Sequence, residues 1–435
     1  MTLLFADPVE LYVLAGAYNG MLKPGAGAGS FNIADRVATW GGRVQGYSYR
    51  ALIDALGEGG DFTPSYLDSI INIFSANELV YAYHAFAFSA AEPATAFNKF
   101  GIITGTTFFN AWYFKLGIDS IVYLFDAANV QKAAGTKVLA DNTKYHRLIE
   151  FDATNGTIKM WIGDDNGSNG LSDPSQWTGT PDLSYTDAAM NGTFDNFSLG
   201  FAALGKVNPA TTYNLEGCTF SSDKPAKARS VWFHLPITGG TYEGAGTAWT
   251  NEAAGAATYA SVDDAISGAA DADTTYVVAK GTIAADSRWS ARVETCAAVG
   301  MPSGHTVLHA FPMYRIRKNT ATADLTSVNA FLRYNGTNTD DTTSPDSNTT
   351  YRQFWRLANF ASPPGGGSWT QAIVDATEVG LMRVGTSSDP NNMEWRCTFA
   401  GLITVTEAAD GQPTLKRSSA VPHMALGQTA LRRRY

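Results

Sequence analysis

Lys144-Tyr-His-Arg-Leu-Ile-Glu-Phe-Asp-Ala-Thr-Asn-Gly-Thr-Ile-Lys-Met-Trp-Ile-Gly-Asp164 is the stretch whose reading decides the fold. Two runs rich in β-branched and aromatic residues, 145–151 and 157–162, flank Asp152-Ala-Thr-Asn-Gly156, a short polar loop ending in Asn-Gly. That arrangement signals an antiparallel hairpin. Successive side chains of a strand point to opposite sides. Ile158, Met160 and Ile162 therefore share one face, and Thr157, Lys159 and Trp161 the other.

Outward from this hairpin the pattern repeats. Strands are expected over 79–88, 121–125, 194–201 and 212–220. Further strands are expected over 230–236, 274–279, 306–317, 327–334, 351–357, 378–384 and 395–405. Residues 63–75 read as a helix or a strand, and the i, i+3, i+4, i+7 spacing of Leu67, Ile70, Ile71 and Phe74 favours a short helix. Ser221-Ser-Asp-Lys-Pro-Ala-Lys-Ala-Arg229 is polar, carries a proline and reads as a linker. The chain is thus expected to be all-β. Two antiparallel β-sandwich, jelly-roll-like domains stand in tandem over 1–222 and 230–407, joined by 223–229. Short helices occur only in loops, and 408–435 is a C-terminal arm or tail. No residue-level repeat relates the two halves.

At 435 residues the chain is too long for one ordinary core, and 45% hydrophobic residues suffice for two. Charged residues, at 16%, fall below the usual share of about 25%. Such a lightly charged surface suits a protein that covers much of its exterior in an assembly, or a rigid β-protein outside the cell. The net charge of −9 argues against a nucleic-acid footprint, which needs a basic face. The basic cluster Arg432-Arg433-Arg434, followed by Tyr435, is either a solvated tail or a peg into an acidic neighbour. Cys218, Cys296 and Cys397 stand far apart without CxxC spacing, against a zinc site or a disulfide framework. The first residues have no basic n-region, and no apolar run approaches the roughly 18 residues of a membrane span. The expectation is a protein that folds in a reducing cytoplasm and carries no signal peptide.

Catalytic signatures are missing: there is no GxSxG, HExxH, P-loop or GxGxxG opening a helix. His305 and His309 lie in a strand-like run, where an i, i+4 pair is about 13 Å apart and does not share a metal. Glu150 and Asp152 share a face, as a glycosidase pair would, but end a strand with no further acid at the right spacing. The expectation is no catalytic residue and no cofactor, with calcium left open. Gly163–Gly170 and Asn338–Asp346 are oxygen-rich loops in which Asp164, Asp165, Asn166, Asp340 and Asp341 are candidate calcium ligands. Trp161, Trp177 and Trp355 are candidate sugar-stacking aromatics, with Trp249, Trp289 and Trp369 as further members of the set.

Two resemblances follow from these residues. The strand 144–150, the Asn-Gly turn, the strand 158–164, and a strand 213–220 returning beside the N-terminal strand together resemble the concanavalin A-like, laminin-G-like jelly roll. In the second half the sequence has Trp249, Tyr259, Val262-Asp-Asp264 and Asp271-Ala-Asp-Thr-Thr-Tyr-Val277, then Ser368-Trp-Thr370 and Val379-Gly-Leu-Met-Arg-Val384. That series is similar to a module of tailed-phage virion proteins. The resemblance implies a non-enzymatic structural component of a virion: capsid decoration or cement, a head or tail fibre, or a host-attachment protein. Its partners would be other virion proteins and copies of itself, as a homotrimer or other symmetric oligomer, with no nucleic acid and no membrane span. The alternative is a carbohydrate-binding, lectin-like adhesin for host-surface glycans. A glycan hydrolase comes third.

Overall fold

The computed structural model describes residues 3–7, 22–24, 49–53, 59–64, 79–88, 100–103, 112–117, 119–126, 128, 130–141, 143–164, 177, 179–190, 196–202, 211–227, 229–243, 249–251, 253–254, 256–262, 275–280, 286–319, 327–342, 351–355, 358–385 and 394–407. Among these residues the protein is strand throughout, in antiparallel sheets, with a one-turn helix and a few 3₁₀ turns in loops.

The first strands are β1 (Leu3–Asp7), β2 (Leu22–Pro24), β3 (Tyr49–Ile53), β4 (Gly59–Pro64), β5 (Leu79–Phe88), β6 (Phe100–Ile103) and β7 (Tyr113–Leu116). They continue with β8 (Ile121–Phe125), β9 (Gln131–Val138), β10 (Lys144–Asp152), β11 (Thr157–Asp164), β12 (Leu183–Thr186), β13 (Asn196–Ala202) and β14 (Thr211–Ser221). One sheet runs β1-β14-β5-β10-β11-β12, with β3 also on β14; the other runs β2-β4-β13-β6-β7-β8-β9. The β10–β11 hairpin forms in the expected register, from Tyr145 opposite Asp164 to Asp152 opposite Thr157. Its loop is fixed by the Asp152 carboxylate, which accepts from the backbone of Thr154 and Asn155 at 3.1 and 3.0 Å, while Gly156 supplies a φ of 60°. Strand β14 returns beside β1, with Phe220 opposite Phe5. Val80, Ala82, Ile149, Phe151, Ile158, Met160 and Ile162 of the first sheet share a buried cluster with Phe114, Leu116, Val122 and Leu124 of the second, which makes the pair a sandwich.

The remaining strands are β15 (Arg229–His234), β16 (Pro236–Gly239), β17 (Thr250–Asn251), β18 (Val277–Lys280), β19 (Arg288–Val293) and β20 (Thr306–Lys318). They end with β21 (Ser327–Tyr334), β22 (Thr337–Asp340), β23 (Arg352–Trp355), β24 (Glu378–Val384) and β25 (Glu394–Glu407). These form a sheet β17-β18-β25-β20-β23, with β15 also on β25, and a sheet β16-β19-β24-β21-β22. Among the described residues, no sheet mixes strands from before and after Ser221. The buried apolar cluster nevertheless includes side chains from both sets. The helix α1 (Gln371–Asp375) starts at Thr370, whose hydroxyl accepts from the Ile373 amide at 3.2 Å.

Of the helix expected over 63–75, Thr63 and Pro64 end β4 and the rest lies outside the described residues. Segment 221–227 is ordered against the first sheet: Lys224 Nζ sits 3.7 Å from the centroid of the Trp161 ring, and Pro225 is buried. Cys296 and Cys397 are free, buried thiols; burial pushes Cys397 up to about 12.

Candidate binding cleft

Alternation in three adjacent strands builds the site. In β19, Trp289, Ala291 and Val293 point into the core, so Arg288, Ser290 and Arg292 point out. Register then sets Arg292 opposite Glu378 of β24, and Glu378 opposite Arg333 of β21. Arg333 in turn lies opposite Asn338 of the edge strand β22. The sheet thus presents a cross-strand row in which the charges of Arg292, Glu378 and Arg333 alternate and the neutral Asn338 ends the row. The next row is Ser290, Gly380, Phe331 and Asp340. A Cβ on Gly380 would run into the Phe331 ring and the Trp289 carbonyl, so only glycine lets that ring lie on the sheet.

The loop after β16 is laid onto this face. Gly240 donates to the Ser290 carbonyl at 3.1 Å, and a Cβ there would collide with Ser290 and the Glu378 carboxylate. Glu378, only 5% exposed, accepts the Thr241 amide at 2.8 Å, the Thr241 hydroxyl at 2.7 Å and the Ser290 hydroxyl at 2.7 Å. A buried carboxylate is tolerated when it is so fully hydrogen-bonded. Arg333 donates through Nε to Thr241 Oγ1 at 3.1 Å and through Nη1 to Gly336 O at 3.0 Å and Asn338 Oδ1 at 3.1 Å. Its guanidinium lies 5.2 Å from the Tyr242 ring centroid. Beside it Arg288 lies over the Phe331 ring and closes a two-pronged pair with Asp340 at 2.6 and 2.9 Å; those bonds raise the Arg288 pKa.

Above the row is a cleft of about 450 Å³ lined by Thr241, Arg292, Arg333, Tyr334, Glu378 and the Asn335-Gly336 turn, with Ala376. The turn has φ of 46° and 83° at its two central residues, the geometry of a tight hairpin loop. The Arg292 side chain is 62% exposed, and its ion pair with Glu378 is loose, at 4.0 Å. Most of its N–H groups, and Nη2 of Arg333, are therefore uncommitted donors among the described contacts.

The residues singled out from sequence sit elsewhere. Trp161 and Trp177 are 4% and 2% exposed and pack with Tyr81, Tyr83 and Leu148 on the outward face of the first sheet, so neither offers a ring to a sugar. The expected split of the β11 side chains is real, but the outer face is sealed by the chain itself. Trp249, Trp289 and Trp369 are also buried, and the side chain of Trp355 lies outside the described residues. Asp340 is taken by Arg288, and Asp341 is buried and accepts from Asn359 Nδ2 at 2.8 Å, so these adjacent carboxylates serve separate protein partners instead of converging on one ion. Asp164 is exposed and pairs with Lys137 at 3.0 Å. Asp165 and Asn166 lie outside the described residues, as do Asp271, Asp273, Arg432, Arg433, Arg434 and Tyr435. Glu150 pairs with Lys159 at 2.6 Å while Asp152 holds its turn. His309 is buried, its pKa held down at about 4 by burial, and His305 contacts Thr406 Oγ1 at 3.1 Å. No group of three or more His, Cys, Asp or Glu able to hold a metal occurs among the described residues.

The sequence expectations passed over the cleft residues. The period-2 alternation of Arg288-Trp-Ser-Ala-Arg-Val293 carried the signal for β19, and Asn335-Gly336 carried that for the β21–β22 hairpin.

No family model matches the chain, and no curated protein matches it in sequence. Among solved structures, peanut lectin with a nine-residue peptide is similar over 50% of this chain and 95% of its own, at 9% identity and a TM-score of 0.33. Winged bean acidic lectin complexed with methyl-α-D-galactose is similar over 50% and 96%, at 11% identity and 0.33. The catalytic domain of a glycoside hydrolase family 131 protein from Coprinopsis cinerea is similar over 41% and 70%, at 12% identity and 0.29.

Proposed function

We propose that this protein is a non-catalytic carbohydrate-binding protein and that the Arg292–Glu378–Arg333 cleft is its sugar site. The observation that carries the reading is the set of uncommitted guanidinium donors around a pre-organised polar floor. Forked N–H groups suit vicinal hydroxyls, and Tyr334 and Asn335 on the wall supply an amphipathic rim and an amide. The cleft of about 450 Å³ falls in the size range of small-ligand sites. Glu378 acts as an anchor: its oxygens hold Thr241 and Ser290 in place. A glycan array probed with the native protein and with Arg292→Ala tests this. Retention of a neutral glycan that drops at least about tenfold in the variant supports the reading. Equal retention by both proteins, or none by either, sinks it.

A second reading is a building role in a tailed-phage particle, through self-association and contacts with other virion proteins. The observation that favours it is the edge strand β9: Val138 at its end and Val130 just before it are 64% and 51% exposed. Although the Thr136 amide of β9 is already bonded to Asp182 O at 2.8 Å, two exposed apolar side chains flanking one edge strand are a ready surface for another copy. Val138→Lys should then shift an oligomer toward monomer in analytical ultracentrifugation. A native protein that sediments as a monomer at all concentrations argues against it.

A further inference from the structure

We infer that the cleft selects an acidic sugar, with the sugar carboxylate seated on Arg292 and a hydroxyl of the same ligand on Arg333. This rests on the cleft reading and names the class of sugar that the cleft takes. The lining residues set two guanidiniums, Arg292 and Arg333, against one carboxylate, Glu378. The cleft therefore carries an excess of positive charge in a chain of net charge −9. The acids on the flanking segments are each turned to a protein partner. Asp340 pairs with Arg288 at 2.6 and 2.9 Å, Asp375 accepts the Cys296 amide at 2.6 Å, and Glu243 accepts the Tyr259 amide at 2.6 Å. Glu378 is 5% exposed, and its close bonds come from neutral groups, the Thr241 amide and hydroxyl and the Ser290 hydroxyl.

The two arginines differ in freedom, and that difference assigns their tasks. Arg333 donates through Nε and Nη1 to Thr241, Gly336 and Asn338, and its guanidinium lies against the Tyr242 ring. Nη2 is left, enough for one hydroxyl oxygen. Arg292 is 62% exposed, and its contact with Glu378 runs through Nε at 4.0 Å, beyond hydrogen-bond reach. Its Nη1 and Nη2 edge is a fork that matches the two oxygens of a carboxylate. A hydroxyl offers that fork one oxygen and no charge, so the charged partner is held more strongly. β19 and β21 flank β24, which sets the two arginine backbones about 10 Å apart. A free carboxylate would satisfy the Arg292 fork alone, whereas a sugar acid also brings hydroxyls to Arg333.

The test is a glycan array in which uronate- and sialate-bearing oligosaccharides stand beside their methyl esters. It is probed with the native full chain, Arg292→Lys and Arg292→Ala. The ester keeps the ring hydroxyls and removes the charge. At least one acid is expected to be retained about tenfold or more over its ester. Arg292→Lys keeps the charge and loses the fork, so it should cut retention of that acid several-fold, and Arg292→Ala should cut it further. Raising the salt from about 0.05 to 0.5 M should weaken retention of the acid and leave the ester unchanged, a readout that needs no variant to fold. Equal retention of every acid and its ester overturns the inference, and the cleft reading still stands if Arg292→Ala weakens the ester. Acid retention that ignores salt, or that Arg292→Lys leaves unchanged, also overturns it. No retention anywhere on the array, or Arg292→Ala without effect on any glycan, removes the cleft reading as well.

Discussion

The outward face of the β5–β10–β11 sheet and the outward face of the β19–β24–β21 sheet are built by the same alternation and finished differently. On the first, Tyr81, Tyr83, Leu148 and Trp161 stand side by side, Trp177 packs against them, and Lys224 of the segment after β14 closes over Trp161. Desolvation there lowers the Lys224 pKa and, with the Glu150 charge as a smaller cause, raises that of Tyr81. On the second, charged residues stand side by side, a short loop is pinned to one edge, and a cleft stays open above Arg292 and Arg333. Apolar surface gains free energy by being covered, so an aromatic face tends to be sealed by its own chain. A satisfied ionic row gains little from covering and can stay available. In this molecule the aromatic face is structure and the charged face is the candidate site.

The strongest way to break that contrast is Trp161→Ala. The ring is 4% exposed, its indole N–H donates to Gly179 O at 3.0 Å, and removal leaves a hole between Leu148 and Trp177. A loss of about 3–5 kcal/mol in urea unfolding is expected, with neutral-glycan retention intact wherever the variant is folded. A loss under about 1 kcal/mol, or a selective loss of glycan retention, would mean that the aromatic face is a binding surface after all.

Acid stresses the interiors instead of the faces. His234 and His309 are buried, and burial holds both pKa values at about 4, below the ordinary 6.5; His84 in the first half is lowered too, by burial and then by Arg147. These groups are neutral in the fold, and the unfolded chain binds more protons between pH 6.5 and 4. Their contribution is therefore complete above about pH 6.5 and is lost as pH falls toward 4, by about 3 kcal/mol each for His234 and His309. Urea midpoints measured from pH 7 to pH 4 should fall, and His234→Gln should make the fall shallower. A flat profile would show that the histidines are not held neutral.

The hairpin at Lys144–Asp164 and the strands at 79–88, 121–125 and 378–384 were legible because alternation, β-branched residues and Asn-Gly are local signals. The all-β class followed from them, whereas the return of β14 beside β1 was expected from the resemblance to a concanavalin A-like jelly roll. Strand β9 was not legible: Gln131-Lys-Ala-Ala-Gly-Thr-Lys-Val138 is an edge strand with little to bury, so its composition lacks the usual pattern. The candidate site was hidden for another reason. Arg292, Glu378 and Arg333 lie far apart in sequence, and only the pairing of β19 and β21 on either side of β24 brings them together. The tryptophans misled because a sequence shows which face a side chain takes, not what later covers that face.

Glu378→Gln probes the floor of the cleft. The NH₂ group of glutamine cannot accept where one of the carboxylate oxygens does, so part of the set made by the Thr241 amide, the Thr241 hydroxyl and Ser290 is left unpaired. The expected cost is about 1–3 kcal/mol in unfolding free energy, together with loss of glycan retention as the Gly240–Tyr242 loop loosens. Stability lost with retention unchanged would show that the loop, though anchored, does not shape the site.

Arg292→Ala carries the smallest expected effect on the fold and the sharpest one on the contrast. The side chain is 62% exposed and its one recorded ion pair is 4.0 Å long, so truncation should change stability by no more than about 0.5 kcal/mol. Binding should respond differently, because a guanidinium with open N–H groups meets the ligand directly. A loss of retention of about tenfold corresponds to about 1.4 kcal/mol, several times the change in folding. Titration calorimetry on a retained glycan, set beside urea unfolding of the same sample, reads both quantities. Trp161→Ala is expected to show the reverse ratio, a large loss of stability with little change in binding. If both variants shift the two quantities in the same proportion, the faces are not divided between structure and recognition, and the cleft loses its claim to be the site.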